Sequence, residues 1–443
     1  MLNILGPRHR YCDGISRRSF LQIGSLAAGG LALPQLLRAE ESQSRPSARH
    51  KSVIMVYLAG GLSHQDTFDL KPDAPEGIRG EFSPIDSNVP GIQVGELLPK
   101  MSQVMDRVAV LRSIVGLRDE HSSFQNLTGH PMDASLRDER PNFGCVVGRV
   151  QGATDPLVPP FVDLFPTMQH RPYNAAGPGY LGRTFGQVKA DGEDLANMKL
   201  RFIAAERLAS RRSLLESFDG FRREVESADV IGSESSYRRA FDVLTSSKLV
   251  DALDLEREDK AVLERYGRGS PKHLGDGAPM WNDQLLMARR LVEAGVRCVT
   301  VAYGFWDTHG NNFGHLRSHL PLFDQGISAL IEDVYARGLD KDVTVVVWGE
   351  FGRTPKINKD AGRDHWSRVN GALLSGGGMR TGQIIGSTDK HAGEAVARPI
   401  HYQDVLATIY NRLGIDLHTF VRDRSGRPVG LLPDTARPIA EVL

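Results

Sequence analysis

The chain has 443 residues, with 54 Lys plus Arg balanced by 54 Asp plus Glu, so its formal net charge is zero. That balance excludes association with nucleic acid or anionic lipid through bulk charge alone. Its length and 40% hydrophobic content suffice to bury a large core, and nothing in the composition points to disorder.

At the N-terminus, Ser16-Arg17-Arg18-Ser19-Phe20-Leu21-Gln22 precedes a moderately apolar, uncharged run over residues 23–37. This order predicts a twin-arginine signal peptide over residues 1–39, and export through the twin-arginine translocase to the periplasm or the extracellular space. The run is shorter than the roughly twenty residues of a membrane span and contains Gly24, Gly29, Gly30 and Pro34. A permanent anchor is therefore not expected. Cys12 leaves with the leader, and Cys145 and Cys298 each sit in an apolar stretch, which predicts buried free thiols and no disulfide.

Residues 40–443 read as a single α/β domain. Segments 53–58, 296–303 and 343–348 are almost continuously β-branched or apolar, as strands of a parallel sheet covered on both faces must be. Segment 108–114 reads as a fourth strand and 371–374 as a shorter fifth. Residues 200–266 turn to charged helical sequence without a Pro/Gly linker, which predicts a helical insertion on the sheet near 200–280. Residues 281–294 read as a helix that leads through Gly295 into the 296–303 strand. Leu316, Leu320, Phe323, Ile327, Leu330, Ile331 and Val334 recur at spacings of three and four, which predicts an amphipathic helix over 316–337 stopped at Gly338. Strand, helix and strand together make a right-handed crossover that leaves functional loops at the strands' C-terminal ends.

Candidate chemistry collects after these strands. Gly60-Gly61-Leu62-Ser63-His64-Gln65-Asp66 follows the first, and in an extended segment His64 and Asp66 face one way. Trp306-Asp307-Thr308-His309-Gly310 follows the 296–303 strand and repeats that spacing with Asp307 and His309. Glu350 and Arg353 follow the 343–348 strand, and Arg363, Asp364 and His365 lie just beyond. Gathered in one crevice, these carboxylates would repel one another, so a cation is the natural counter-charge. Mixed His and carboxylate ligands suit one or two divalent ions, Zn or Mn before Ca or Mg, and such an ion lowers the pKa of a bound water enough to make it a nucleophile. His64, Asp66, Asp307, His309, Glu350, Asp364 and His365 are the candidate ligands. Arg353 and Arg363 either grip an oxyanion or pair with the neighbouring acids. The 108–114 strand is followed by His121 and Ser122, candidate catalytic residues together with Arg353; Ser122 and Ser123 alternatively cap a helix.

With the stretches already quoted, Gly349-Glu350-Phe351-Gly352-Arg353-Thr354-Pro355 and Gly362-Arg363-Asp364-His365-Trp366 give the chain a nearly full-length resemblance to a family of twin-arginine-exported bacterial proteins known as domain of unknown function 1501. That family is similar in turn to the alkaline phosphatase and sulfatase superfamily. The resemblance implies a three-layer α/β sandwich with a mostly parallel central sheet, and metal-dependent hydrolysis of phosphate or sulfate esters. The sequence departs from the superfamily pattern in three places. Ala59-Gly60 stands where the first strand usually ends in a metal-binding Asp. Asp119 stands at the place of the Cys or Ser of sulfatases, so no formylglycine precursor is present. Glu350-Phe351-Gly352 stands for a common Asp-His-Gly. Two functions follow as expectations: a periplasmic metal-dependent ester hydrolase acting on a small molecule or a polysaccharide, or a catalytically inactive relative that binds a glycan or protein at the cell surface.

Overall fold

The computed structural model describes residues 50–190 and 247–443. The predicted leader and most of the charged stretch lie outside the described residues. Among the described residues, nine strands make one sheet: β1 (Ser52–Tyr57), β2 (Val108–Val115), β3 (Phe161–Asp163), β4 (Val188–Lys189), β5 (Cys298–Ala302), β6 (Val343–Trp348), β7 (Asn370–Gly376), β8 (Gln383–Ile385) and β9 (Ile400–His401). Their order is β8-β2-β7-β6-β1-β5-β3-β4, and β9 also pairs with β2. Only β7 runs antiparallel to its neighbours, β2 and β6; the other pairings are parallel.

Every residue of β1 and of β6 is buried, as their unbroken apolar sequence requires. Successive side chains leave the sheet on opposite faces. Ile54 and Val56 enter one core with Leu285, Leu320 and Ile327, whereas Val53, Met55 and Tyr57 enter a second with Phe143, Val147, Val405 and Ile409. The helices α1 (Phe124–Thr128), α2 (Phe143–Gln151), α3 (Ser247–Leu253), α4 (Lys260–Tyr266), α5 (Asn282–Glu293), α6 (Asn312–Ala336) and α7 (Tyr402–Arg412) are distributed accordingly. Helices α5 and α6 cover the first face, α2 and α7 the second. The result is the three-layer α/β sandwich with a mostly parallel sheet that the sequence predicts.

The differences are local. Helix α6 starts a turn before the predicted 316, because its first turn is polar apart from Phe313 and shows no apolar period. Strand β7 carries the predicted 371–374 segment in the antiparallel sense. Of the charged stretch, the described part holds α3 and α4. Cys145 and Cys298 are free and buried, and burial pushes both thiols well above their ordinary pKa. No helix among the described residues is long and apolar enough to cross a membrane.

In the centre of the sheet, Tyr57 pairs with Ala302 on one side and Trp348 on the other, so β6, β1 and β5 end in register. The three loops that follow them therefore leave one edge side by side.

Candidate metal centre

The loop after β5 is anchored before it reaches its charged residues. Trp306 is buried, its amide donates to Ala59 O at 2.8 Å and its indole to Tyr303 O at 2.8 Å. Gly60 makes this contact possible. Its φ is +93°, and a Cβ there would lie 2.4 Å from Asp307 N. Asp307 therefore rests directly on the turn after β1. On the far side, Gly362 packs against the His309 carbonyl, which an added Cβ would meet at 1.9 Å, and Asn358 Nδ2 donates to the same oxygen at 2.8 Å. His365 comes from a two-residue hairpin strand, His365–Trp366, paired with Gly352–Arg353. Its ring lies 4.3 Å from Phe351, centroid to centroid.

These supports bring His121, Asp307, His309 and His365 together, with one ligand atom of each within 4.8 Å of all the others. His365 Nε2 is 3.0 Å and His309 Nε2 3.1 Å from Asp307 Oδ1, while His121 Nε2 is 3.4 Å from Oδ2. The two imidazole nitrogens are themselves 2.9 Å apart. Each ring is held from behind: His309 Nδ1 by Asp364 at 2.7 Å, His365 Nδ1 by Asp119 at 2.6 Å, and His121 Nδ1 by the Tyr173 hydroxyl at 2.5 Å. An ionised carboxylate only accepts, so the protons of His309 and His365 sit on Nδ1 and the Nε2 lone pairs point inward. Two lone pairs and a carboxylate oxygen then share one small volume. A cation fits that electron-rich point, and the donor set is one that Zn, Mn or Fe accepts.

The electrostatics agree. Burial raises the Asp307 pKa, but the neighbouring His365 and the Arg353 guanidinium outweigh it and hold the carboxyl well below the usual range. Burial likewise opposes a charge on His121, and Glu350 and Asp307 outweigh it to raise that imidazole's pKa. The pKa of Asp364 is lowered chiefly by its hydrogen bond from His309.

The other candidate residues lie around this cluster or away from it. Glu350 is fully buried behind it, accepting the Gly60 amide at 2.7 Å and standing 3.9 Å from His121 Nδ1. Asp364 lies outside the cluster and touches it through His309 Nδ1 at 2.7 Å. His64 and Asp66 do not join the cluster. They occupy a 3-10 turn, His64–Asp66, in which residues two apart point to different sides. His64 Nε2 bonds Ala392 O at 2.9 Å. Asp66 is gripped by Arg363 through Nε at 2.8 Å and Nη2 at 2.9 Å, and also accepts from Ser63 and Asn312. Arg363 gives its remaining donors to Ile78, Thr354 and Pro355 carbonyls. Arg353 bonds Asp307 and the carbonyls of Gly60, Gly61 and Arg363. Both guanidinium groups are wholly buried and turned inward, which is the ion-pair alternative and not an oxyanion grip. Ser122 is fully buried, and its hydroxyl accepts the Phe124 amide at 3.3 Å, while the N-cap of α1 is Ser123, whose hydroxyl donates to Asn174 O and makes no cap bond.

Asp119 and Tyr173 were not among the candidates. Asp119 could have been found, since Asp119-x-His121 repeats the spacing of Asp307-x-His309. Tyr173 carries no local signal.

The chain belongs to the family described as a protein of unknown function (DUF1501), which matches residues 50–443. No curated protein sequence gives a significant match. Among solved structures it is similar to the lipoteichoic acid synthase LtaP from Listeria monocytogenes, with 9% identity, TM-score 0.37, and coverage of 88% of this chain and 76% of that one. It is also similar to the PsFucS1 sulfatase from Pseudoalteromonas sp., with 10% identity, TM-score 0.36, and coverage of 86% and 70%. A third likeness is to the phosphonate monoester hydrolase SpPMH from Silicibacter pomeroyi, with 12% identity, TM-score 0.33, and coverage of 83% and 73%.

Proposed function

We propose that this DUF1501 member is a metal-dependent hydrolase of phosphate or sulfate esters whose ion is held by His121, Asp307, His309 and His365. The observation that carries the reading is the convergence of the His309 and His365 Nε2 lone pairs, 2.9 Å apart, on the Asp307 carboxylate; Arg353 pairs with that carboxylate and leaves the two lone pairs facing each other. Bound there, a divalent cation supplies a Lewis acid for an ester oxygen and activates water. The chain's own residues do the rest. Asp364, Asp119 and Tyr173 keep the three rings turned inward. His309 is half exposed and opens the cluster to solvent, where an ester can approach. Ser122 is buried and engaged, which favours water over a serine hydroxyl as the nucleophile. The leader supports export by the twin-arginine translocase, and so a periplasmic or extracellular substrate, a glycan ester included. A reporter fused behind residues 1 to 45 that stays in the cytoplasm would remove that part.

Protein purified from its own periplasm should carry at least one tightly bound transition metal per chain, and His309→Ala and Asp307→Ala should lose it. Metal-free wild type, or variants with unchanged metal content, would sink the reading. A second reading, a non-catalytic relative that binds a glycan or protein, is favoured by the buried Ser122 and the inward arginines, which offer the opening neither a nucleophile nor an anion clamp. Aryl sulfates, phosphomonoesters and phosphodiesters assayed with several metals separate the two. Turnover that disappears with His309→Ala excludes pure binding.

A further inference from the structure

The turn after β6 places two opposite charges, Glu350 and Arg353, three residues apart and both fully buried. They grasp the same piece of backbone from two sides. Glu350 Oε1 accepts the Gly60 amide at 2.7 Å, while Arg353 donates to the carbonyls of Gly60 and of Gly61, the latter at 3.2 Å. The guanidinium then reaches on to Asp307 Oδ1 and, through Nη1 at 2.9 Å, to Arg363 O, two residues before His365. One planar fork therefore joins the turns after β1, β5 and β6 to the strand that carries His365.

Resting on the metal reading above, we infer that Arg353 is a positioning residue: its guanidinium fixes the rotation of the Asp307 carboxylate so that both oxygens face the imidazoles before any ion arrives. The arrangement requires an arginine. A lysine carries the charge but has no rigid fork, and cannot meet carbonyls on one side and a carboxylate on the other in a single plane. Gly60 is part of the same device, since only a residue without Cβ lets the Asp307 backbone lie against this turn.

The test compares Arg353→Lys with Arg289→Lys, a comparably buried arginine on α5 whose carboxylate partners, Glu258, Glu293 and Asp333, lie outside the cluster. Both are expected to lose stability. Zn²⁺ affinity, measured by competition with a chromophoric chelator, should fall about 10- to 100-fold in Arg353→Lys and stay at the wild-type value in Arg289→Lys. The visible spectrum of the Co²⁺-loaded protein should change in Arg353→Lys alone, which a purely structural role would not produce. A folded Arg353→Lys protein with wild-type Zn²⁺ affinity and an unaltered Co²⁺ spectrum overturns the inference and leaves the metal reading standing. Wild type that binds neither ion removes both. Should Arg353→Lys fail to fold, hydrogen exchange of the Arg353 guanidinium in metal-free wild type decides. Slow exchange is expected of a preformed clamp, and exchange as fast as that of a solvent-exposed arginine overturns it.

Discussion

His309 and His365 meet Nε2 to Nε2 at 2.9 Å, while the Nδ1 of each is held by a different aspartate, Asp364 at 2.7 Å and Asp119 at 2.6 Å. The arrangement separates two tasks. On the proposed reading the inner nitrogens would hold the cation, and the outer carboxylates set the tautomer that turns their lone pairs inward.

Asp119 and Asp364 are about half exposed or more, at 60% and 51% of the side chain. As exposed partners they contribute only about 0 to 1 kcal/mol to folding. Asp119→Asn and Asp364→Asn should therefore leave the thermal midpoint of the metal-free protein nearly unchanged, yet weaken Zn²⁺ binding by about 10- to 100-fold each. Chelator competition measures the second quantity, and calorimetry on chelated protein the first. A large stability loss without an affinity loss would assign both carboxylates to loop structure.

Ligand linkage gives an independent check. An ion that binds the folded chain alone stabilises it by about 2.7 kcal/mol when the free ion is roughly 100 times its Kd. The thermal midpoint of wild type should thus rise on adding Zn²⁺ or Mn²⁺ and fall on chelation, whereas Asp307→Ala should not respond to either treatment. An equal response in that variant would locate the ion elsewhere.

How far the sequence discloses this site depends on which physical rule governs each segment. Strands β1 and β6 are legible because complete burial demands an unbroken apolar run, and Asp307 and His309 are legible because they follow such a strand directly. His64 and Asp66 have the same spacing in the sequence, but the chain turns into a 3-10 helix after Gly61, and the alternation that would align them holds only for extended backbone. The partners of Arg353 and Arg363 are set by tertiary packing, in that Arg353 crosses 46 residues to Asp307 and Arg363 crosses 297 to Asp66. Strands β3, β4, β8 and β9, of two or three residues each, are too short to show any period.

The Asp66 and Arg363 pair illustrates the consequence. Both side chains are almost completely shielded from water, and a buried ion pair that loses one partner typically costs about 3 to 5 kcal/mol. Asp66→Ala should lower the urea midpoint accordingly, while the metal bound per folded chain remains that of wild type. Loss of the ion without loss of stability would return Asp66 to the ligand set.

A pH effect away from the cluster can be predicted at His130, at the end of the loop after α1. Burial, reinforced by the Arg140 charge, lowers its pKa to about 4, and its Nε2 is buried without a hydrogen-bond partner. The unfolded chain takes up this proton below about 6.5, whereas the folded chain resists it until about 4. Between those values the unfolded state binds more protons, so stability falls as pH is lowered through the window and the contribution levels off beneath it. Carboxylates that titrate in the same range contribute to wild type and variant alike. The His130 share is therefore the difference between wild type and His130→Gln in urea midpoints taken from pH 7 to 4.5. Wild type should lose more stability than the variant as the pH drops, and parallel curves would show that His130 is solvated in the folded protein.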